Sequence, residues 1–127
     1  MHDTRNKGIL YLQKRGYRFS NSIAVSKLYK PEESWTKKRA WWFDLPIKKV
    51  REKRAKNYYL LGAKDGRKSR FVTLNVPKSF LLLHLKKKNF DIRYRKMIRL
   101  HLAAYKENWL VDERGKGRVD FSKFELK

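Results

Sequence analysis

Two apolar runs, NYYLLGAK and SRFVTLNVP, stand on either side of the dipeptide Asp65-Gly66, and no other feature constrains the fold as much. Asp-Gly between strand-like segments signals a hairpin, because glycine takes the positive φ that a tight turn between strands needs. In the second run Val72, Leu74 and Val76 fall on one face, and Phe71, Thr73 and Asn75 on the other. A sheet with one apolar face and one wet face that still carries an aromatic is therefore expected. Pro77 closes the run, and KSFLLLHLKKK behind it predicts a helix whose Phe80, Leu81, Leu83 and Leu85 cover the sheet, with a cationic end that suits the helix dipole.

The same period of two recurs elsewhere. From Ala40 to Leu45, Trp41, Phe43 and Leu45 share a face opposite Trp42 and Asp44. A carboxylate is rarely buried unpaired, so Asp44 marks the wet face, Trp42 shares it, and Trp41 belongs to the core. RKMIRLHLAAY alternates Ile98, Leu100 and Leu102 against Arg99 and His101, a strand with a basic outer face. Residues 3 to 16 read as an amphipathic helix from an Asp3 cap to a Gly16 stop, residues 17 to 29 are weakly strand-like, and Ile47 and Val50 pin a short basic helix after Pro46. NWLVDERGKGRVDF reads as a strand, a turn and a short return. A chain of 127 residues supports one core. The fold expected is a single α+β domain, with a mostly antiparallel sheet of about five strands and two to three short helices.

Charge narrows the function. There are 34 Lys and Arg against 12 Asp and Glu, a net charge of +22, yet 41% hydrophobic and 14% aromatic residues set the chain apart from disordered sequences. Such a surface repels itself and attracts polyanions, and a phosphate backbone neutralises it with release of counterions. Nucleic acid, DNA or RNA, is the expected partner, with an acidic protein as the alternative. The absence of cysteine excludes disulfides, thiolate zinc sites and thiol nucleophiles. The N-terminus lacks a signal-type apolar core and FLLLHL is too short to span a bilayer, so an intracellular, soluble protein with no membrane partner is expected.

Candidate phosphate contacts are Lys37, Lys38, Arg39, Lys48, Lys49, Arg51, Arg54 and Lys56 around the tryptophan strand, and Lys64, Arg67, Lys68 and Arg70 around the hairpin turn. Arg93, Arg95, Lys96 and Arg99 complete the set. Such contacts position nucleic acid without reading its sequence. Trp42, Phe71 and His101 are placed to stack on unpaired bases if their face is wet, or to be core if a second layer covers it. A metal-dependent nuclease is the alternative activity, and it alone would call for magnesium or manganese; a binding protein needs no cofactor. Its carboxylates would come from Asp44, Asp112, Asp120 and Glu125, the last forming Glu-x-Lys with Lys127, the final residue, where fraying is expected. His2, His84 and His101 lack zinc-ligand spacing, and no nucleotide-binding glycine loop occurs.

The order NKGILYLQKRGYRFSNS, RAWWFDLPI, NYYLLGAKDGRKSRFVTLNVP resembles small restriction-endonuclease-like (PD-(D/E)XK) proteins of bacteria and phages. In that group a helix ending in Gly-Tyr precedes a nuclease sheet, and a Trp-Phe-rich strand leads to a hairpin ending in Val-Pro before a helix. The acidic strand and Glu-x-Lys strand of that group belong before the tryptophan strand, where residues 18 to 38 offer only Glu32 and Glu33. The resemblance thus implies a binding or accessory protein rather than a complete nuclease.

Overall fold

The computed structural model describes residues 2–17, 22–64 and 67–126. The elements, in order, are α1 (His2–Lys14), β1 (Ile23–Ser26), β2 (Leu28–Tyr29), β3 (Ala40–Pro46), α2 (Ile47–Arg51), β4 (Asn57–Lys64), β5 (Arg67–Pro77), α3 (Lys78–Lys86), β6 (Asp91–Arg93), β7 (Met97–Ala103) and β8 (Glu125–Leu126), with 3-10 turns at Lys106–Asn108 and Ser122–Phe124. The class is α+β with three helices and mainly antiparallel pairing, and the strands divide between two four-stranded sheets, β1-β4-β5-β8 and β2-β3-β7-β6. β1 on β4 is a parallel pair. The paired strands β4 and β5 form the hairpin arms read from the sequence; the Asp65-Gly66 turn lies outside the described residues, as do residues 18 to 21 of the weakly strand-like segment and Lys127.

Two sheets give the alternating faces their partners. Trp41, Phe43 and Leu45 of β3 and Ile98, Leu100 and Leu102 of β7 pack against Tyr58 and Leu60 of β4 and Val72, Leu74 and Val76 of β5. Leu81 from α3 and Leu110, Val119 and Phe121 join this core, as do Ala24, Val50 and Phe90. Trp41 crosses it, its Nε1–H donating to the Ala63 carbonyl at 2.9 Å. Its indole lies on Gly62, where a Cβ would come within 2.6 Å of the ring, so only glycine leaves room.

The opposite face of the β1-β4-β5-β8 sheet is covered by α1, whose Leu12 joins Ile23, Tyr59, Leu61, Ala63 and Phe71 in a second cluster. This corrects the wet face expected for Phe71: it is 3% exposed and meets the Tyr11 ring edge-on at 5.4 Å. The helix ends as its glycine requires. Gly16 has φ +78, and Tyr17 N–H and Gly16 N–H donate to the Leu12 and Gln13 carbonyls, the two bonds of a Schellman stop. Asp3 falls inside the first turn of α1 rather than at its cap.

Three further expectations change. In α3, Leu81 is buried and Phe80 and Leu85 pack on the core, but Leu83 is 48% exposed because it sits about 200° around the helix from Leu81. Residues 109 to 121 form a looped segment with isolated bridges at Leu102–Asp112 and Val111–Asp120 rather than a strand and its return. Leu110 and Arg118 take φ of +62 and +43, which no extended strand accommodates. Finally, β6 is an additional strand of three residues that the expected architecture did not include.

Candidate nucleic-acid interface

The β2-β3-β7-β6 sheet has its inner face in the core, and its outer face carries the groups capable of chemistry. Register fixes who stands there: Trp42 opposite His101, Asp44 opposite Arg99, Pro46 opposite Met97, with β6 adding Asp91 beside Arg99 and Arg93 beside Met97. From one end to the other this gives an aromatic stack, a row of ion pairs and a cationic groove.

In the stack, Trp42 is sandwiched between Tyr29 at 4.2 Å and His101 at 4.4 Å, the rings within 10° of parallel. Trp35 meets the His101 ring edge-on, and the Arg114 guanidinium lies 5.3 Å over Trp35. The loop bearing Arg114 is anchored by Asp112, whose buried carboxylate accepts from the backbone N–H groups of His101 (3.0 Å), Arg114 (3.1 Å) and Gly115 (3.2 Å). His101 is therefore core, contrary to its expected wet position, and Trp42 is half-buried against it. The faces assigned to base stacking are stacked on each other.

Burial decides the titration of this end. It depresses His101 to about 4, helped by the nearby Arg114 and Arg99 charges, and neither ring nitrogen has a hydrogen-bond partner among the described residues. Burial pushes Asp112 up to about 6 against the pull of its three N–H donors. The two groups oppose each other. Neutral His101 contributes stability that is whole above the unfolded value near 6.5 and is lost as pH falls toward 4; protonated Asp112 contributes stability that is whole below about 3.8 and is lost as pH rises through about 6. Replacing His101 with Phe removes one slope and leaves the other. Relative to the parent, the variant should gain about 2 to 3 kcal/mol between pH 6.5 and pH 4 in urea unfolding. Parallel profiles for the two proteins would refute this account of the buried ring.

In the middle of the face Arg99 grips Asp44 through two bonds, at 2.8 and 3.3 Å, and Arg114 pairs with Asp91 at 2.6 Å. Asp44 is on the exposed side, as its parity predicts. Arg99, named as a phosphate contact, is engaged by that carboxylate, which holds its guanidinium above the usual value.

The groove lies where β3 ends and β7 begins. Pro46 is the N-cap of α2, the Ile47 N–H donates to the Lys96 carbonyl at 2.9 Å, and α2 is thereby held against the β6–β7 turn. Val50 pins the helix to the core, as its spacing predicts, and turns the basic side outward. Pro46, Ile47 and Met97 lie among the lining of a groove of about 1030 Å³ that also includes Lys48, Arg51, Arg54, Arg95 and Lys96, with Glu52 the carboxylate among them. Glu52 stands 3.7 Å from Arg54.

Of the other expected contacts, Lys37, Lys38 and Arg39 are exposed on the segment before β3, with Lys38 over the Tyr105 ring at 4.9 Å. Lys49 lines a separate cleft of about 360 Å³ together with Arg5 and Lys27. Lys56 is exposed ahead of β4, Lys64 and Arg70 are exposed on the other sheet, and Arg93 is half-buried on β6. Arg67 and Lys68 lie on β5, their side chains outside the described residues.

The carboxylates weighed for metal do not converge. Asp44 is paired with Arg99, Asp112 is the buried loop anchor, Asp120 accepts from the Ser122 N–H at 2.8 Å, and Glu125 accepts from Trp109 Nε1 at 2.9 Å. Among the described residues no group of three His, Asp or Glu side chains is placed to hold a metal ion. Nor is any helix among them long and apolar enough to cross a membrane.

Two exposed aromatics escaped the sequence reading: Trp35 at 60% and Tyr94 at 75%. The signal for Tyr94 was present in DIRYRKMIRL, two alternating stretches joined by a short basic segment, but without Gly or Asn it did not read as a turn. No family model matches this chain, and neither does any curated protein or solved structure.

Proposed function

We propose that the protein binds nucleic acid, holding the phosphate backbone in the groove between α2 and the β6–β7 turn. One observation carries this reading: Lys48, Arg51 and Arg54 are gathered beside Arg95 and Lys96, more than forty residues away in the chain, around an apolar floor with a single carboxylate. Like charges brought together repel, and the arrangement is favourable when a polyanion threads between them and its counterions are released. Arginine supplies bidentate contacts and lysine point charges, which together hold a backbone without reading bases. The net charge of +22 extends the attraction beyond the groove and speeds encounter.

A titration of labelled single-stranded DNA, duplex DNA and RNA across a salt series, with and without magnesium and with each sample run on a denaturing gel, tests this. Binding that weakens steeply with salt and leaves strands intact is expected. Absence of binding to all three would overturn the reading in favour of an acidic protein partner, and magnesium-dependent fragments would replace it with a nuclease.

A further inference from the structure

The turn that supplies Arg95 and Lys96 to the groove is built in an unusual way. Arg93 to Lys96 form a tight turn closed by the Lys96 N–H donating to the Arg93 carbonyl at 3.1 Å. Its two central residues, Tyr94 and Arg95, both have positive φ, +54 and +59. That is the geometry in which Asn-Gly is favoured and an aromatic residue is strained. The strain gains Tyr94 no burial, since it is 75% exposed, the most exposed large apolar side chain among the described residues. The Arg93 guanidinium lies 5.8 Å from the ring centroid, and Ile92 beside it on edge strand β6 is also exposed.

We infer that Tyr94 is a base-stacking residue and that the protein prefers single-stranded over duplex nucleic acid. This inference rests on the groove reading and adds the class of strand bound. A bare ring set between Arg93 and the groove-lining Arg95 meets the next base of a strand whose phosphates lie along the groove. Stacking of this kind tolerates any base, because every base has a π-face, but it needs that face free. In a duplex the faces are covered by neighbouring base pairs, so a turn that projects a ring selects against it. The tryptophan expected in this role, Trp42, is occupied by Tyr29 and His101.

The test uses the full chain and its Tyr94→Ala, Tyr94→Trp and Tyr94→Gly variants, titrated against a single strand containing 2-aminopurine and against a duplex of the same length. Tyr94→Ala and Tyr94→Gly should lose about tenfold in single-strand affinity, with duplex affinity and the salt slope unchanged and the 2-aminopurine quench gone. Tyr94→Trp should retain both quench and affinity. Tyr94→Gly should also melt at a higher temperature than the parent, because glycine relieves the left-handed position, so weaker binding will not be mistaken for unfolding. Single-strand affinity unchanged in Tyr94→Ala, or lost equally on duplex, would overturn stacking while leaving the groove reading intact. A parent that binds neither strand would overturn the groove reading itself.

Discussion

If the groove holds a phosphate backbone as proposed, replacing Lys48, Arg51, Arg95 and Lys96 together with glutamine should lower the salt dependence of nucleic-acid binding by about three to four units of log–log slope, or about two to three on a single strand. Each phosphate neutralised in the parent releases its counterion with a coefficient of about 0.9 on a duplex and about 0.7 on a single strand. Four lost contacts therefore remove a predictable part of the slope, together with most of the affinity at low salt. The side chains at positions 48, 51, 95 and 96 are exposed, so the fold should stand. Removing like charges from one groove should if anything raise the melting temperature. The control is a matched removal of Lys37, Lys38, Lys64 and Arg70, exposed cations outside the groove lining, which lowers net charge by the same amount. If both variants lose slope equally, binding is spread over the whole basic surface and the groove has no special part in it.

Trp41→Ala destabilises by about 4 kcal/mol or more, near the upper range for a large aromatic cut from a core. The indole fills the space between the two sheets, rests on Gly62, meets the Trp109 ring edge-on and donates to Ala63 across the core. Its loss leaves both a cavity and a buried carbonyl short of a donor. Set against the 5 to 15 kcal/mol that holds a typical domain together, and in a chain burdened by charge repulsion, this variant should be largely unfolded at body temperature. Its neighbour behaves differently. Trp42→Ala removes a half-buried ring from an outer-face stack and should cost about 1 to 2 kcal/mol. Urea unfolding followed by far-ultraviolet circular dichroism separates them; equal costs would mean that the two adjacent rings do not face opposite sides of β3. Gly62→Ala should approach Trp41→Ala in severity, because the added methyl would come within 2.6 Å of the buried indole and force it to shift.

Local periodicity made much of this fold legible. The alternation that put Trp41 inside and Asp44 outside, the hairpin arms around Asp65-Gly66, the helix behind Pro77 and the stop at Gly16 each depend on residues within a few positions of one another. What covers a face does not. Phe71 and His101 have the parity of a wet surface, and both are buried because α1 lies over one and Trp35 with the Asp112-anchored loop lies over the other. The two-sheet division was hidden for the same reason: alternation shows that a strand has an inner side without showing which strand it meets. Within the candidate site, the cations were recognisable by type, but their grouping follows from the pairing of Pro46 with Met97, fifty-one positions apart. Tyr94 was missed because its turn has the φ angles of Asn-Gly and the sequence of neither.

That pairing also sets the order in which the molecule can assemble. β4 and β5 are separated by two residues in the chain and can pair within microseconds, whereas bringing β3 onto β7 closes a loop that contains β4, β5, α3 and β6. The groove is the seam of that closure, with α2 leaving one side of it and the β6–β7 turn arriving at the other. Capture of a polyanion in mixing experiments should therefore lag the appearance of strand signal and report on finished molecules. A chain stalled before the seam closes keeps every positive charge and has none of them in place.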